Sequence, residues 1–597
     1  MLSEVRFEKK RWNLKDVLPD HKGEEFERTL AGVEKAAKSL EALRPMLSNF
    51  TRQEVDEQML WAESLKRSMH RLRAYASMLF ASDTGDEEAR ALLDRVVELS
   101  ASIENRVLFL ELFWIGLDDA RAESILPANA DYAHYLKTLR KLRPHALEEK
   151  VEQAINIKNT TGFVGWVLHY EKLVSGFEFG LAVRGRPVLD PSGKPKRFTG
   201  SEISKFFVSS DPDEREASYR SHLATFGEKG PIIGDVYRTL VRDWRNENVE
   251  LRKYKTPISP RNLENDVADE TVEALLSVCR KNAPVFQQFF EMKAKVLKMP
   301  AMARYHIYAP VADEGKKYSY PDAVSMVLTA YSDFDRRFGE LAYRVFDSDH
   351  VDSEERKGKQ SGAFCYAVSP DLVPYMHLNY AGTLRDVYTL AHETGHAIHD
   401  QLASKHSVFT YSPTLVMAET ASVFGEMVLF DRFMRSESDP AIKKAMLIDK
   451  ISSTYATIGR QAYFVIFEKD AHEMVSKGAT TPELCSVYLA NLREQFGESV
   501  EVPDEFRWEW TAIPHIFHTP FYCYSYAFGN LLSLALYDAY TREGKDFVPK
   551  YEKILSYGSA ASPPDILAEV GVDISSESFW QAGFDVIRRM VDEAARL

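Results

Sequence analysis

Apolar residues recur at three- and four-residue spacing over most of positions 24 to 150, with charges between them and few Gly or Pro breaks; Val55 to Phe80 and Glu88 to Leu117 are clear runs. This period puts one apolar stripe on each helix, so the segment is expected to be a set of packed helices. The pattern breaks from Gly176 to Phe198, where Gly176, Gly180, Gly185, Pro187, Pro191, Gly193 and Pro195 punctuate short apolar pieces, as in a hairpin or irregular loop. Helix resumes at Asp211-Pro212-Asp213-Glu214, which combines a capping residue, a proline for the first turn and early acids, and runs to about Lys298 with an interruption near Pro257 to Pro260. A second break lies between Gly358 and Thr383: Ser361 to Tyr366 and Tyr375 to Tyr380 read as two short strands around a turn at Ser369-Pro370-Asp371. No internal repeat or low-complexity segment is visible. The expected fold is mainly α with one small β-sheet, in an N-terminal helical region over 1–195 and a helical catalytic region over 196–597.

Composition narrows the function. With 45% hydrophobic and 27% charged residues among 597, the chain is of ordinary globular type and can bury a sizeable core, which excludes disordered and fibrous classes. A net charge of -14 argues against nucleic acid or an anionic membrane surface as partner, and basic runs such as Lys9-Lys10-Arg11 are too short to reverse that field. The opening Met1 to Phe7 has no apolar stretch behind its charges, so no secretory signal is expected. The densest apolar run, Val107 to Leu117, is interrupted by Glu111 and is far shorter than the ~20 residues of a membrane span. Cys279, Cys365, Cys485 and Cys523 lie far apart without a Cys-x-x-Cys pair, which suits buried thiols in a reducing cytoplasm.

The chemistry concentrates downstream of the second break. Thr389 to His399 contains His392-Glu393-Thr394-Gly395-His396 on a predicted helix. Imidazoles at i and i+4 share a helix face and can reach one tetrahedral zinc ion, while Glu393 between them can take a proton from the attacking water and return it to the leaving amine. A second helix, read as opening at Ser412-Pro413, places Glu419 among Val416, Met417, Ala418 and Ala421. A carboxylate in such surroundings is costly unless a cation or partner meets it, which makes Glu419 the candidate third ligand. Glu426, two turns on, shares its face and is expected to support a ligand histidine. His399, three residues past His396, reads as a packing or substrate-lining residue rather than a ligand. A third cluster, Pro514 to Gly529, is rich in His and Tyr; it is either core or a set of oxyanion donors.

These residues resemble oligoendopeptidase F, in the wider thimet oligopeptidase family of zinc peptidases. The resemblance runs from Arg11-Trp12-Asn13-Leu14 through Gln360-Ser361-Gly362-Ala363 and Leu390 to Ala397, and on to Pro520 to Tyr526. It implies a large helical body split by a deep substrate channel, with one zinc ion on its floor, acting on short unstructured oligopeptides. It also implies His392, His396 and Glu419 as ligands, Glu393 as base, His515 as the transition-state histidine, and Tyr522 and Tyr526 as phenol donors, with Tyr524 and His518 as substitutes. The strand at His377 to Tyr380 and Gly382 would line the cleft, where a peptide could add as an extra strand. One rival is a metallocarboxypeptidase, but its His-Glu-Ser run is replaced here by Ala418-Glu419-Thr420-Ala421-Ser422. The other is a noncatalytic zinc-containing peptide-binding protein, which would have no need of Glu393. Oligomeric state has no sequence signal.

Overall fold

The structure is a computed structural model that describes residues 6–311 and 316–597; Met1 to Val5, part of the opening read above for a signal, lie outside the described residues. The fold is mainly α, 70% helical with only small sheets. Its contacts form two compact units: Met1–Glu149, Glu314–Ser436 and Leu536–Asp573 in the first, and Lys150–Asp313, Glu437–Ala535 and Ile574–Leu597 in the second. Each is filled from three separate segments, because helical faces close their cores with whatever apolar face lies near in space. The division at 195/196 therefore describes the sequence and coincides with neither unit's borders.

In the first unit, helices Glu24–Glu41, Arg52–Ser82 and Glu87–Gly116 follow the apolar period. A Thr51 and Glu54 capping box opens the second of these and Asp86 caps the third, where the side-chain oxygens meet backbone N–H groups left without helical partners. Their facing stripes, including Val33, Leu40, Leu72, Met78 and Ile103, form one buried cluster. The Val107 to Leu117 run falls at the end of the third helix, and among the described residues no helix is long and apolar enough to cross a membrane.

The second break is a three-stranded sheet rather than a lone hairpin: Val351–Asp352 pairs parallel with Tyr375–His377, which pairs antiparallel with Phe364–Tyr366. Tyr375–His377 is thus central, with both edges hydrogen-bonded, and its three residues are buried. A peptide cannot add to it, which corrects the expectation for His377; the outer strand on that side is Phe364–Tyr366. Trp12 seals the sheet with its ring 5.5 to 6.2 Å from those of Phe364, Tyr375 and His377.

In the second unit, the Gly- and Pro-rich stretch forms two small antiparallel pairs, Phe179–Gly180 with Arg197–Phe198 and Ala182–Val183 with Arg186–Pro187. Helix Pro212–Arg245 is capped by Asp211, whose side chain accepts from the Asp213 amide, and gives way to a π-helical turn at Asn246–Leu251 before the short helix Ser259–Glu264. Helix Arg460–Ser476 is enclosed on most sides, with Ala462 to Glu468 buried in succession. The cysteines are unpaired; three are buried and Cys365 is half-buried.

Candidate metal centre

Helix Leu384–Ala403 carries the His-Glu-x-x-His motif and opens on a capping box in which Thr383 Oγ1 accepts from the Asp386 amide and Asp386 accepts from the Thr383 amide at 2.8 Å. The Glu419 helix begins at Leu415, not at Ser412-Pro413, and runs to Ser436; a bend at Tyr411 and Ser412 leads into it. The two helices pack closely because residue 395 has no side chain. A Cβ there would lie 2.5 Å from the Ala421 carbonyl oxygen and 2.6 Å from Ser422 Cα, inside any tolerated contact. Tyr331, buried between them, donates to the Ala391 carbonyl at 2.8 Å.

This close approach assembles the predicted ligands. His392 Nε2 lies 3.2 Å from His396 Nε2 and 3.4 Å from Glu419 Oε2, and His396 Nε2 lies 3.8 Å from the same oxygen. Among the described residues these three form the one group of His, Cys, Asp or Glu side chains arranged to hold a metal ion. Tetrahedral bonds of about 2.0–2.1 Å put neighbouring donors about 3.3 Å apart, so the triangle fits zinc, with a fourth position left for a non-protein ligand. Glu426 Oε1 sits 2.7 Å from His392 Nδ1, which fixes the ring and turns its Nε2 toward the triangle. Ser422 donates to Glu419 Oε2 at 2.7 Å.

The electrostatics suit a cation. Burial opposes charge on His392, yet the Glu426 hydrogen bond and the carboxylates of Glu426, Glu419 and Glu393 hold its imidazolium well above the ordinary range. His396 is pushed down by burial and by the charge on His392. Glu393, only 6% exposed, is raised to about 7 by burial, with His392 and a Cys365 backbone hydrogen bond pulling it down and the other two carboxylates pushing it up. His399 is buried beside the ligands and outside their group, kept neutral by burial at about 3.

The remaining candidates lie in the second unit. The rings of His515, Tyr522 and Tyr526 form a cluster with centroids 5.2 to 6.3 Å apart, and all three are partly exposed. Tyr524 is fully buried, its oxygen accepting from Asn265 Nδ2 at 2.7 Å, and His518 faces Glu171 at 3.3 Å. Tyr524 is therefore engaged in packing, whereas His518 stays partly exposed beside Glu171. Burial and the nearby Arg460 hold His515 below its usual range, so its ring is neutral at neutral pH.

The sequence profile described as Peptidase family M3 matches residues 207–586, and the one described as Oligopeptidase F matches 114–179. The chain belongs to peptidase family M3. It is accordingly an endopeptidase of metallopeptidase type, in a family whose members use a metal. Among its relatives, Oligopeptidase PepF of Bacillus subtilis is 25% identical over 100% of this chain and 88% of its own length. The plasmid oligoendopeptidase F of Lactococcus lactis subsp. cremoris is 25% identical over 91% and 89%. The fold matches crystal structures of a Chlamydophila abortus protein (TM-score 0.85, 23% identity, 98% of each chain) and of oligoendopeptidase-F from Enterococcus faecium (TM-score 0.73, 18% identity, 96% of this chain and 98% of that one).

Sequence reasoning missed three features of the centre. Ser422 was findable, since it sits three residues after Glu419 on one helix face. An isolated glycine within the motif helix also signalled the close approach at Gly395. The Cys365 amide on Glu393 had no signal, because it depends on strand register.

Proposed function

We propose that the chain is a zinc endopeptidase that cuts internal bonds of short, unstructured oligopeptides in the cytoplasm. The observation that carries this reading is the His392, His396 and Glu419 triangle with the buried Glu393 on the same motif helix. When bound, zinc supplies a Lewis acid that favours attack of water on a carbonyl. Glu393 takes the proton of the attacking water and passes it to the amine that leaves; its raised affinity for a proton lets one carboxyl do both near neutral pH. Glu426 keeps His392 in the tautomer that presents Nε2. His515, as a neutral ring, and Tyr522 and Tyr526, as phenols, donate hydrogen bonds to the oxyanion, which strengthens them in the transition state more than in the ground state.

The test is an internally quenched peptide of about ten residues, blocked at both ends, assayed before and after metal removal and again with zinc restored. Internal cleavage that vanishes with the metal and returns with zinc supports the reading. Release of single C-terminal residues from unblocked peptides only would favour a carboxypeptidase. Glu393→Gln is expected to retain zinc and lose at least about a hundredfold in kcat; full activity in that variant would remove the base from the mechanism.

A further inference from the structure

His515 and Tyr526 are joined by a turn whose geometry its own sequence does not favour. Tyr522 N–H donates to the Thr519 carbonyl at 3.2 Å, with Pro520 second in the turn and Phe521 third at φ +59°. That is the type II form, in which the third position is ordinarily Gly or Asn because φ is positive. A bulky side chain is strained there. Type I accommodates the same Thr-Pro-Phe-Tyr sequence without strain, and the two forms differ by a flip of the peptide between Pro520 and Phe521.

That one peptide group is held from both sides by buried ionisable side chains. Phe521 N–H donates to Glu468 Oε1 at 2.9 Å, and Arg261 Nε–H donates to the Pro520 carbonyl at 3.3 Å. Glu468 is fully buried and Arg261 is 9% exposed. In the flipped form the N–H would face the Arg261 guanidinium, donor against donor, and the carbonyl would face the Glu468 carboxyl, which could meet it only through a protonated oxygen, so at least two buried donors would be left mismatched. The Phe521 ring, 1% exposed, packs on His472 at 4.6 Å, so the observed form also buries the aromatic side chain that its backbone strains to place. Arg261 is itself seated: Tyr524 O–H donates to its backbone carbonyl at 3.4 Å. The direct consequence falls on the next residue, Tyr522.

We propose that Glu468 is a positioning residue for the proposed phenol donors: by holding the Phe521 amide it selects the type II turn that sets the direction of Tyr522. This rests on the reading of Tyr522 and Tyr526 as oxyanion donors. Glu468 is outside the metal-ligand group and acts through the turn. Burial raises its carboxyl to about 8, against the pull of the Phe521 amide and Arg261, and an uncharged carboxyl keeps the acceptor oxygen that the amide needs.

The experiment compares Glu468→Leu, which deletes the acceptor, with Glu468→Gln, which keeps one, in the zinc-loaded full chain. The leucine variant is expected to lose about tenfold to a hundredfold in kcat with KM within about twofold, and the glutamine variant to recover most of that loss. In a Tyr522→Phe background the leucine substitution should add little, since both changes remove the same contact. Losses that multiply, or an unchanged kcat in Glu468→Leu while Tyr522→Phe is impaired, overturn the positioning role and leave the donor reading intact. Normal turnover in both Tyr522→Phe and Tyr526→Phe overturns the donor reading, and the positioning role falls with it. Hydrogen exchange of the unaltered protein decides the matter even if Glu468→Leu does not fold: the Phe521 amide lies outside any helix and is expected to exchange slowly, and rapid exchange overturns the proposal.

Discussion

Replacing Gly395 with alanine sets two effects of opposite sign against each other. In an exposed helix interior the change stabilises by about 1 kcal/mol, because alanine loses less backbone entropy than glycine. Here the new methyl would sit 2.5 Å from the Ala421 oxygen and 2.6 Å from Ser422 Cα, both backbone atoms that no rotamer change can move. Relief to ordinary contact requires the helices to part by about 1 Å, and overpacking of this kind costs about 1–3 kcal/mol or more. Packing should win, leaving Gly395→Ala less stable than the parent by about 1–2 kcal/mol in the metal-free form. The same displacement carries Glu419 away from His392 and His396, whose nitrogens are now 3.4 and 3.8 Å from its oxygen. Zinc affinity should fall about tenfold to a hundredfold, the loss expected when a ligand's support shifts. Urea unfolding of the metal-free protein measures the first effect and competition with a chromophoric chelator the second. A variant as stable as the parent, or more so, with unaltered zinc affinity would refute the claim that this contact sets the centre.

Glu426→Gln removes the carboxylate from His392 Nδ1 and is expected to weaken zinc binding about tenfold to a hundredfold while the fold survives, as read by the same competition assay; unchanged affinity would deny Glu426 its orienting role. Glu468 predicts a pH dependence of stability. Its carboxyl titrates near 8 when folded against an ordinary 4.5, so the folded chain keeps a proton that the unfolded chain releases. The contribution is fully present below about pH 4.5 and is lost as pH rises through about 8, by at most about 5 kcal/mol. Glu468→Gln should flatten that decline in urea midpoints between pH 5 and about 8.5, and an equally steep decline would assign it to other groups. Zinc should also raise the melting temperature in proportion to its occupancy, and Glu419→Ala should abolish that shift.

What the sequence disclosed tracks the range of the interactions involved. Helices such as Arg52–Ser82 and the pairing of His392 with His396 depend on spacing within a few residues, the first legible from apolar periodicity and the second from the motif's i, i+4 spacing on a helix. Glu419 was legible because a carboxylate among apolar neighbours poses a local problem of its own. The strand Val351–Asp352 was not, since two residues carry no alternation to read. Nor were the borders of the two units, which follow contacts between segments hundreds of residues apart. Glu468 left a faint trace: it ends the apolar run Ala462 to Phe467 on a helix with little polar face, where a carboxyl needs a partner that only the fold reveals.

The two groups of candidate residues are held by different means, and the difference follows from what each has to do. The metal ligands must keep three atoms within a few tenths of an ångström of a fixed triangle. They sit on two helices locked together at Gly395, where backbone meets backbone and nothing can yield. A donor to an oxyanion must instead be neutral, so that its proton is present, and aimed where negative charge develops. Burial and Arg460 keep His515 in its neutral form, and the turn before Tyr522 is aimed by a peptide group clamped between Glu468 and Arg261. A small-to-large change at Gly395 should therefore appear first in metal affinity. A change at Glu468 should leave metal affinity alone and appear in kcat, so measuring both quantities on both variants separates the two means of support.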